Sequence, residues 1–166
     1  MNNSDVSAFY DRDVQTSLSN IETLLKAGIF SAQGLQSPFF RACVTQILIE
    51  LSDALQKASA SGKRISFKDN VYDGGKNWDV TDLIANCRNA VCHISSSKHL
   101  FETNKFTFNR AAGYSPTAFC INGTVLGCEF EDDVAVFFGS MKLLLNRNVI
   151  RAQRELRSIF PSPWSR

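Results

Sequence analysis

Three side chains that could act on an RNA phosphodiester lie within the six residues Arg88-Asn89-Ala90-Val91-Cys92-His93. Histidine gains and loses a proton near neutral pH, so His93 suits proton transfer from a 2′-hydroxyl group or to a leaving 5′-oxygen. Arginine stays charged and presents a planar fork of donors, which suits Arg88 to stabilising a phosphate in the transition state. On a helix, Asn89 and His93 are i, i+4 neighbours, so the amide would orient the imidazole. This combination predicts RNA cleavage without a metal ion.

The chain has only two histidines, and this segment supplies one of them. A two-fold dimer that pairs two such segments would place two histidines and two arginines together, so we expect a homodimer. His99 lies in a polar stretch and is expected to be solvated. Asp82 would either orient Arg88 or His93, or simply be an acid that the dipole favours in the first turn of a helix.

The same six residues resemble the R-x4-6-H motif of the HEPN family, in which a polar residue typically follows the arginine. The resemblance implies a motif on a helix of an all-α bundle and a domain that dimerises. In many members of the family, paired motifs form a composite, metal-independent endoribonuclease site. Residues 132–156 are also similar to the last long helix of some HEPN proteins. The site residues implied by the resemblance are Arg88, Asn89 and His93.

We therefore expect an endoribonuclease of the HEPN type that leaves a 2′,3′-cyclic phosphate on its RNA substrate. Its biological setting would be that of a toxin or an antiviral-defence effector, which an inhibitory partner protein could restrain. The alternative is a non-catalytic HEPN-like module that binds nucleotides or proteins. Neither function needs a cofactor. No set of His, Asp and Glu residues has the spacing of metal ligands, so no metal site is predicted.

The elements that position these residues are predicted from apolar spacing. One helix has apolar residues on a single face from Val14 to Leu25 and stops at Gly28. A second helix begins at Ser37-Pro38, with the serine as its cap, and ends at Gly62.

The third predicted helix follows a basic loop over residues 63–79, begins at Asp79 or Thr81, and runs to Ile94. At about 100° per residue, its inward face carries Leu83, Cys87, Ala90, Val91 and Ile94, and its opposite face carries Asp82, Asn86, Asn89 and His93. Arg88 lies beside this polar stripe and reaches the same space on its long side chain.

A β-hairpin at residues 119–126 is predicted from the Asn122-Gly123 pair, and residues 105–110 alternate as a strand does. A last helix is predicted to start between residues 132 and 136 and to continue to Phe160, before Pro161. Its buried stripe is expected to be Leu145, Val149, Ala152, Leu156 and Ile159. On its other side, Arg147, Arg151 and Arg154 are expected either to contact an RNA backbone or to form an ordinary solvated face.

The 166-residue chain, with 44% hydrophobic and 20% charged residues, fits one globular domain over residues 1–166. We predict a mainly α-helical fold, an all-α bundle of about four or five helices with a small β-hairpin between the motif helix and the last helix. No apolar run is long enough to span a bilayer and no signal peptide is recognisable, so no membrane contact is expected. The five cysteines, an odd number without a C-x-x-C pair, predict free thiols in the cytoplasm.

Overall fold

The computed structural model of the chain describes residues 3–31, 33–93 and 97–161, and the side chains of these residues from Arg12 onward. Its four α-helices are α1 (Asn3–Lys26), α2 (Phe40–Ala60), α3 (Val80–Cys92) and α4 (Arg151–Ile159). A π-helix over Leu145–Ile150 leads directly into α4, and two single 3₁₀ turns lie at Gly34–Gln36 and Ser97–His99.

Seven strands lie between α3 and the π-helix: β1 (Leu100–Phe101), β2 (Asn104–Lys105), β3 (Thr107–Ala112), β4 (Ser115–Ile121), β5 (Thr124–Cys128), β6 (Val134–Phe138) and β7 (Met141–Leu144). They form the antiparallel pair β1–β2, the hairpin β4–β5 and an antiparallel three-stranded sheet in the order β3–β6–β7. The fold of the described residues is therefore α+β. The prediction of a mainly helical, all-α bundle is wrong, because strands other than the predicted hairpin fill much of the chain before the last helix.

The first three predicted helices are confirmed. The stripe residues Val14, Leu18 and Ile21 of α1 are at most 1% exposed and pack in one core with the apolar stripe of α2. α2 begins at Phe40 rather than at Pro38, since the Ser37 hydroxyl accepts the N–H of Phe39 at 3.2 Å and closes a turn just before the helix.

Residues 132–144, predicted as the start of the last helix, contain the hairpin β6–β7 instead. Every residue of both strands is buried. Val134, Val136 and Phe138 pack in the core formed with the helices, whereas Ala135 and Phe137 pack in a second apolar cluster on the other side of the sheet. Because both faces of these strands are covered by apolar side chains, they lack the alternation of a strand with one solvated face.

The hairpin β4–β5 covers the face of the central sheet that lies away from the helices. Phe119 of this hairpin packs edge to face on Phe106 and on Phe137, with ring centroids 5.2 Å and 5.6 Å apart. The prediction of a tight turn at Asn122-Gly123 is confirmed, because both residues have positive φ, +49° and +82°, as a type I′ turn requires.

A bulge interrupts the pairing of β3 with β6 between Thr107 and Asn109. Phe108, at the bulge, has φ +60°, a left-handed conformation that large side chains rarely adopt. Its ring packs edge to face on Phe138 at 5.1 Å and against the helical core. The bulge therefore places an aromatic ring of an edge strand under the helices.

No helix in the described residues is both long and apolar enough to cross a lipid bilayer.

Candidate functional site

The start of α3 is fixed by Asp79, which caps the helix. Its Oδ1 accepts the N–H of Asp82 at 3.0 Å, and the Arg64 guanidinium donates to both of its carboxylate oxygens, at 2.8 Å each. Burial raises the pKa of Asp79, but the hydrogen bonds from Arg64 and from the main chain outweigh burial and lower that pKa below the usual aspartate value. The helix that carries the motif is therefore anchored at its first turn by a charged pair.

Asp82 belongs to this anchor. Arg64 Nη2 donates to Asp82 Oδ1 at 2.7 Å, so the carboxylate is engaged at the N-terminal end of α3 and contacts neither Arg88 nor His93. One turn further on, the side-chain oxygen of Asn86 accepts a hydrogen bond from Lys98. The first half of the predicted polar stripe thus contacts the segments on either side of α3.

The inward face of α3 agrees with the prediction as far as it is described. Leu83, Cys87 and Ala90 are fully buried, and Val91 is partly buried against the same core. Burial raises the pKa of the Cys87 thiol, which leaves it protonated and unreactive. Ile94 lies outside the described residues.

Arg88 and Asn89 are in direct contact. Arg88 Nη1 donates to Asn89 Oδ1 at 3.1 Å, and both side chains are half-buried. His93 ends the helix: its main-chain N–H donates to the carbonyl of Asn89 at 3.1 Å, and its side chain is exposed. Asn89 therefore contacts the arginine through its side chain and the histidine through its main chain. Among the hydrogen bonds of the described residues, none joins the His93 ring to Arg88.

His99 is buried, with 6% of its surface exposed, so the expectation that it is solvated is wrong. Its Nε2 lies 2.9 Å from the carbonyl oxygen of His93, and its Nδ1 lies 2.9 Å from the hydroxyl of Thr107. A carbonyl oxygen only accepts, so Nε2 carries the proton. His99 thereby ties the end of α3 to the first residue of β3. No sequence pattern pointed to this role, because the contact joins three separate elements.

A polar cleft of about 330 Å³ opens beside Arg88, between α3, α2 and α1. Glu50, Asp53, Gln56, Ser17, Ser52 and Ile49 line it together with the arginine. Glu50 Oε1 accepts a hydrogen bond from Gln46 at 2.6 Å, whereas its buried Oε2 has no partner among the described residues. Arg88 thus lines a cleft that also contains the carboxylates of Glu50 and Asp53.

The three arginines predicted to contact RNA differ in their surroundings. Arg147 Nη1 contacts Asp132 at 2.8 Å and Asp133 at 3.0 Å, and its guanidinium stacks on Phe130. Arg151 pairs with Asp69 and with Glu155 and stacks on Phe67. Arg154 is exposed and forms no ion pair within the described residues. The charge of two of the three is therefore balanced by acids of the same chain.

The last helix is shorter than predicted but keeps its inward face. Leu145 and Val149 of the π-helix and Ala152 and Leu156 of α4 are buried, and Ile159 packs partly buried against them. Asp133 holds the first turn of the π-helix, since its carboxylate accepts the main-chain N–H groups of Asn146 at 2.8 Å and Arg147 at 3.2 Å.

Two chemical features bear on cofactors and reactivity. Across residues 12–31, 33–93 and 97–161, no group of three or more His, Cys, Asp or Glu side chains is arranged to hold a metal ion. All five cysteines are free thiols, with Cys87 and Cys128 buried and Cys92 and Cys120 exposed. The predicted site residues Arg88, Asn89 and His93 all lie at the C-terminal end of α3, which His99 contacts.

Comparison of the chain with protein-family models, with curated proteins and with solved structures gave no match.

Proposed function

We propose that this protein is a metal-independent endoribonuclease of the HEPN type that works as a homodimer and leaves a 2′,3′-cyclic phosphate. The observation that carries the proposal is the arrangement on α3, where Arg88 is hydrogen-bonded to Asn89 and an exposed His93 ends the same helix. His93 acts as general acid or base, Arg88 stabilises the charge that develops on the phosphate, and the Asn89 side chain orients Arg88. A cytoplasmic toxin or antiviral-defence effector, restrained by an inhibitory partner protein, is the role that fits such an activity.

The positions of Arg88 and His93 on the helix support a site shared by two copies. Five residues of α-helix turn through about 140° beyond a full turn, so the two side chains leave α3 on different flanks. Asn89 lies between these flanks, and its contacts reach the arginine side chain but only the main chain of the histidine. In a two-fold pair of α3 helices, the arginine of one copy would meet the histidine of the other across a single phosphate.

The test is cleavage of total RNA in excess EDTA by the wild type, Arg88→Ala and His93→Ala, with analysis of the product ends. We expect cyclic phosphate ends from the wild type and a loss of cleavage of about 10²-fold or more in each variant. Arg12→Ala, which removes an exposed arginine of α1 that forms no ion pair within the described residues, is the matched control and retains cleavage. Absence of cleavage by the wild type would overturn the proposal.

Mixing the two inactive variants tests whether the site is shared. A heterodimer of Arg88→Ala and His93→Ala combines an intact arginine from one copy with an intact histidine from the other. Part of the cleavage is therefore expected to return on mixing. If heterodimers form and cleavage does not return, each copy uses its own arginine and histidine.

A second candidate function is a non-catalytic module that binds a nucleotide or a protein partner. The polar cleft beside Arg88, with the unpaired Oε2 of Glu50, favours it, because a ligand with an amino or amide donor would satisfy that oxygen. This candidate predicts no cleavage by the wild type under any buffer condition. It also predicts that Glu50→Gln changes ligand binding and that this variant, like the wild type, does not cleave RNA.

A further inference from the structure

Two arginines of the described chain stack on phenylalanine rings in a crossed arrangement. The guanidinium of Arg41, in the first turn of α2, lies 4.6 Å from the ring centre of Phe108 in β3. The guanidinium of Arg110, also in β3, lies 4.8 Å from the ring centre of Phe40 in the first turn of α2. Each element thus supplies one cation and one ring, and both cations lie where α2 meets β3.

These two arginines differ from the other arginines that stack on aromatic rings. Arg147 and Arg151 stack on phenylalanines too, but each also binds carboxylates of this chain. Arg41 and Arg110 form no ion pair with any described residue, and the polar contact of Arg110 is to Gln36 at 3.4 Å. A ring beneath a guanidinium orients it but leaves its N–H edge without an acceptor, so both arginines present charged donors for an external anion.

An exposed aromatic residue lies at the start of α2, next in the chain to this pair of elements. Phe39, the residue before α2, is 67% exposed and is followed directly by Phe40 and Arg41. About two thirds of this aromatic side chain is therefore open to a ligand. Together with the two guanidinium groups of the α2–β3 junction, it supplies one stacking platform and two phosphate donors, which is the combination that single-stranded nucleic acids bind.

The surface is connected to the motif. Phe108 follows Thr107, whose hydroxyl contacts His99, and His99 in turn contacts the carbonyl oxygen of His93. Phe108 also has φ +60° at the bulge of β3, an unfavourable conformation for an aromatic residue that is retained beneath Arg41. The strand that holds the end of α3 therefore also carries half of this surface.

We propose that Phe39, Arg41, Phe108 and Arg110, the crossed-arginine patch, bind single-stranded RNA. Arg41 and Arg110 contact successive phosphates and Phe39 stacks on a base, so that the strand leads along β3 toward His93. This inference rests on the proposed function for its choice of RNA over other polyanions, and it moves the RNA contact from the last helix to the junction of α2 and β3.

The test measures binding of a fluorescein-labelled single-stranded oligouridine of about a dozen nucleotides by fluorescence anisotropy. The protein carries His93→Ala and the buffer contains EDTA, so the probe stays intact whether or not the wild type is a nuclease. Arg41→Gln/Arg110→Gln is compared with Arg151→Gln/Arg154→Gln, which removes the same charge from the last helix. We expect the patch variant to bind about tenfold or more weakly at about 100 mM salt, with a salt slope smaller by about 1.4 for two lost phosphate contacts. The control should stay within about threefold of the parent protein.

Phe39 provides a second variant, one that removes few buried contacts because its side chain is mostly exposed. Phe39→Ala is expected to weaken binding about fivefold or more, whereas Tyr114→Ala, which removes an aromatic side chain of the same 67% exposure outside the patch, should not change it. Equal effects of the patch and control variants, or no binding of the probe at all, would overturn the patch proposal. Weaker binding by the patch variants with no cleavage by the wild type would support the patch and overturn the nuclease alone.

Discussion

The Nε2 of His99 lies 2.9 Å from the main-chain carbonyl oxygen of His93, so the buried histidine of this chain holds the backbone of the exposed one. The other ring nitrogen of His99 contacts Thr107 at the start of β3. The end of α3 is therefore attached to the central sheet, and the position of His93 depends on strands as well as on its own helix.

Replacement of His99 is expected to destabilise the protein. His99→Phe keeps an aromatic ring in the buried site but leaves the carbonyl of His93 without its ring donor, whereas the hydroxyl of Thr107 keeps its hydrogen bond to the main-chain carbonyl of residue 99. We expect a loss of about 1–3 kcal/mol in the free energy of unfolding, measured by urea denaturation. His93→Phe, at an exposed position, is the control and should change that free energy by about 0.5 kcal/mol or less. Equal losses in the two variants would contradict the role assigned to His99.

Gly139→Ala tests the contact between the β6–β7 turn and the segment that carries His99. A Cβ atom at Gly139 would lie 2.5 Å from the carbonyl oxygens of both Lys98 and Leu100, in a residue with φ +59°. Gly123→Ala shares a positive φ, +82°, but meets nothing within 4 Å. Both substitutions strain the backbone by about 1 kcal/mol, and Gly139→Ala should lose about 1–3 kcal/mol more because of the clash. Urea denaturation of the two variants gives the difference, and identical midpoints would exclude the clash.

The lowered pKa of Asp79 predicts that the protein loses stability in acid. Its pKa in the folded protein lies below the usual value, so its ionised form stabilises the fold above the unfolded pKa of about 3.9. That contribution is lost as the pH falls through the lower, folded pKa. Asp79→Asn keeps a capping oxygen but loses the charge, and should reduce the free energy of unfolding by about 1–2 kcal/mol at neutral pH.

Urea denaturation across the pH range measures this prediction. The difference between wild type and Asp79→Asn should shrink as the pH falls below about 4, because the unfolded state takes up a proton first and the folded state follows at its lower pKa. Asp82→Asn removes a more exposed carboxylate from the same arginine and is expected to change stability by about 0.5 kcal/mol or less. A constant difference down to strongly acidic pH would rule out a role for the charge of Asp79.

Asp133 and its ion pair with Arg147 are expected to stabilise the fold. Its side chain is fully buried and accepts the main-chain N–H groups of Val134, Asn146 and Arg147. Asp133→Ala should lose about 2–4 kcal/mol on urea denaturation, since it leaves several buried donors unpaired. The neighbouring Asp132 pairs with the same Arg147 but has a side chain that is 68% exposed, so Asp132→Ala should lose about 1 kcal/mol or less. The reverse order of these two losses would contradict the assignment.

The helices and the tight turn could be predicted because their signals are local. The stripe from Val14 to Ile21, the capping aspartate at residue 79 and the Asn122-Gly123 turn each act within a few residues of sequence. The hairpin β6–β7 could not, because its strands are apolar on both faces and run directly into the apolar stripe that starts at Leu145. A continuous apolar run of that kind is compatible with a helix as well as with strands.

The residues of the candidate site could be predicted from the sequence, but the residues that surround them in the fold could not. A helical wheel places Arg88 beside Asn89, and the hydrogen bond between them agrees with it. The wheel carries no information about residues that the fold brings from elsewhere. Asp69, 82 positions before Arg151, neutralises that arginine, and His99 reaches His93 across a turn rather than along a helix.

The bulge at Phe108 also affects whether another chain can add a strand to the central sheet. β3 is an edge of the three-stranded sheet, and a regular edge offers a row of free N–H and C=O groups to which another chain can add a strand. A left-handed residue at the second position of β3 breaks that row. At the opposite edge, the N–H of Lys142 in β7 donates to the carbonyl of Tyr72 at 3.1 Å, which blocks that side as well. Both edges of this sheet thus resist strand addition and the fibrous aggregation that follows from it.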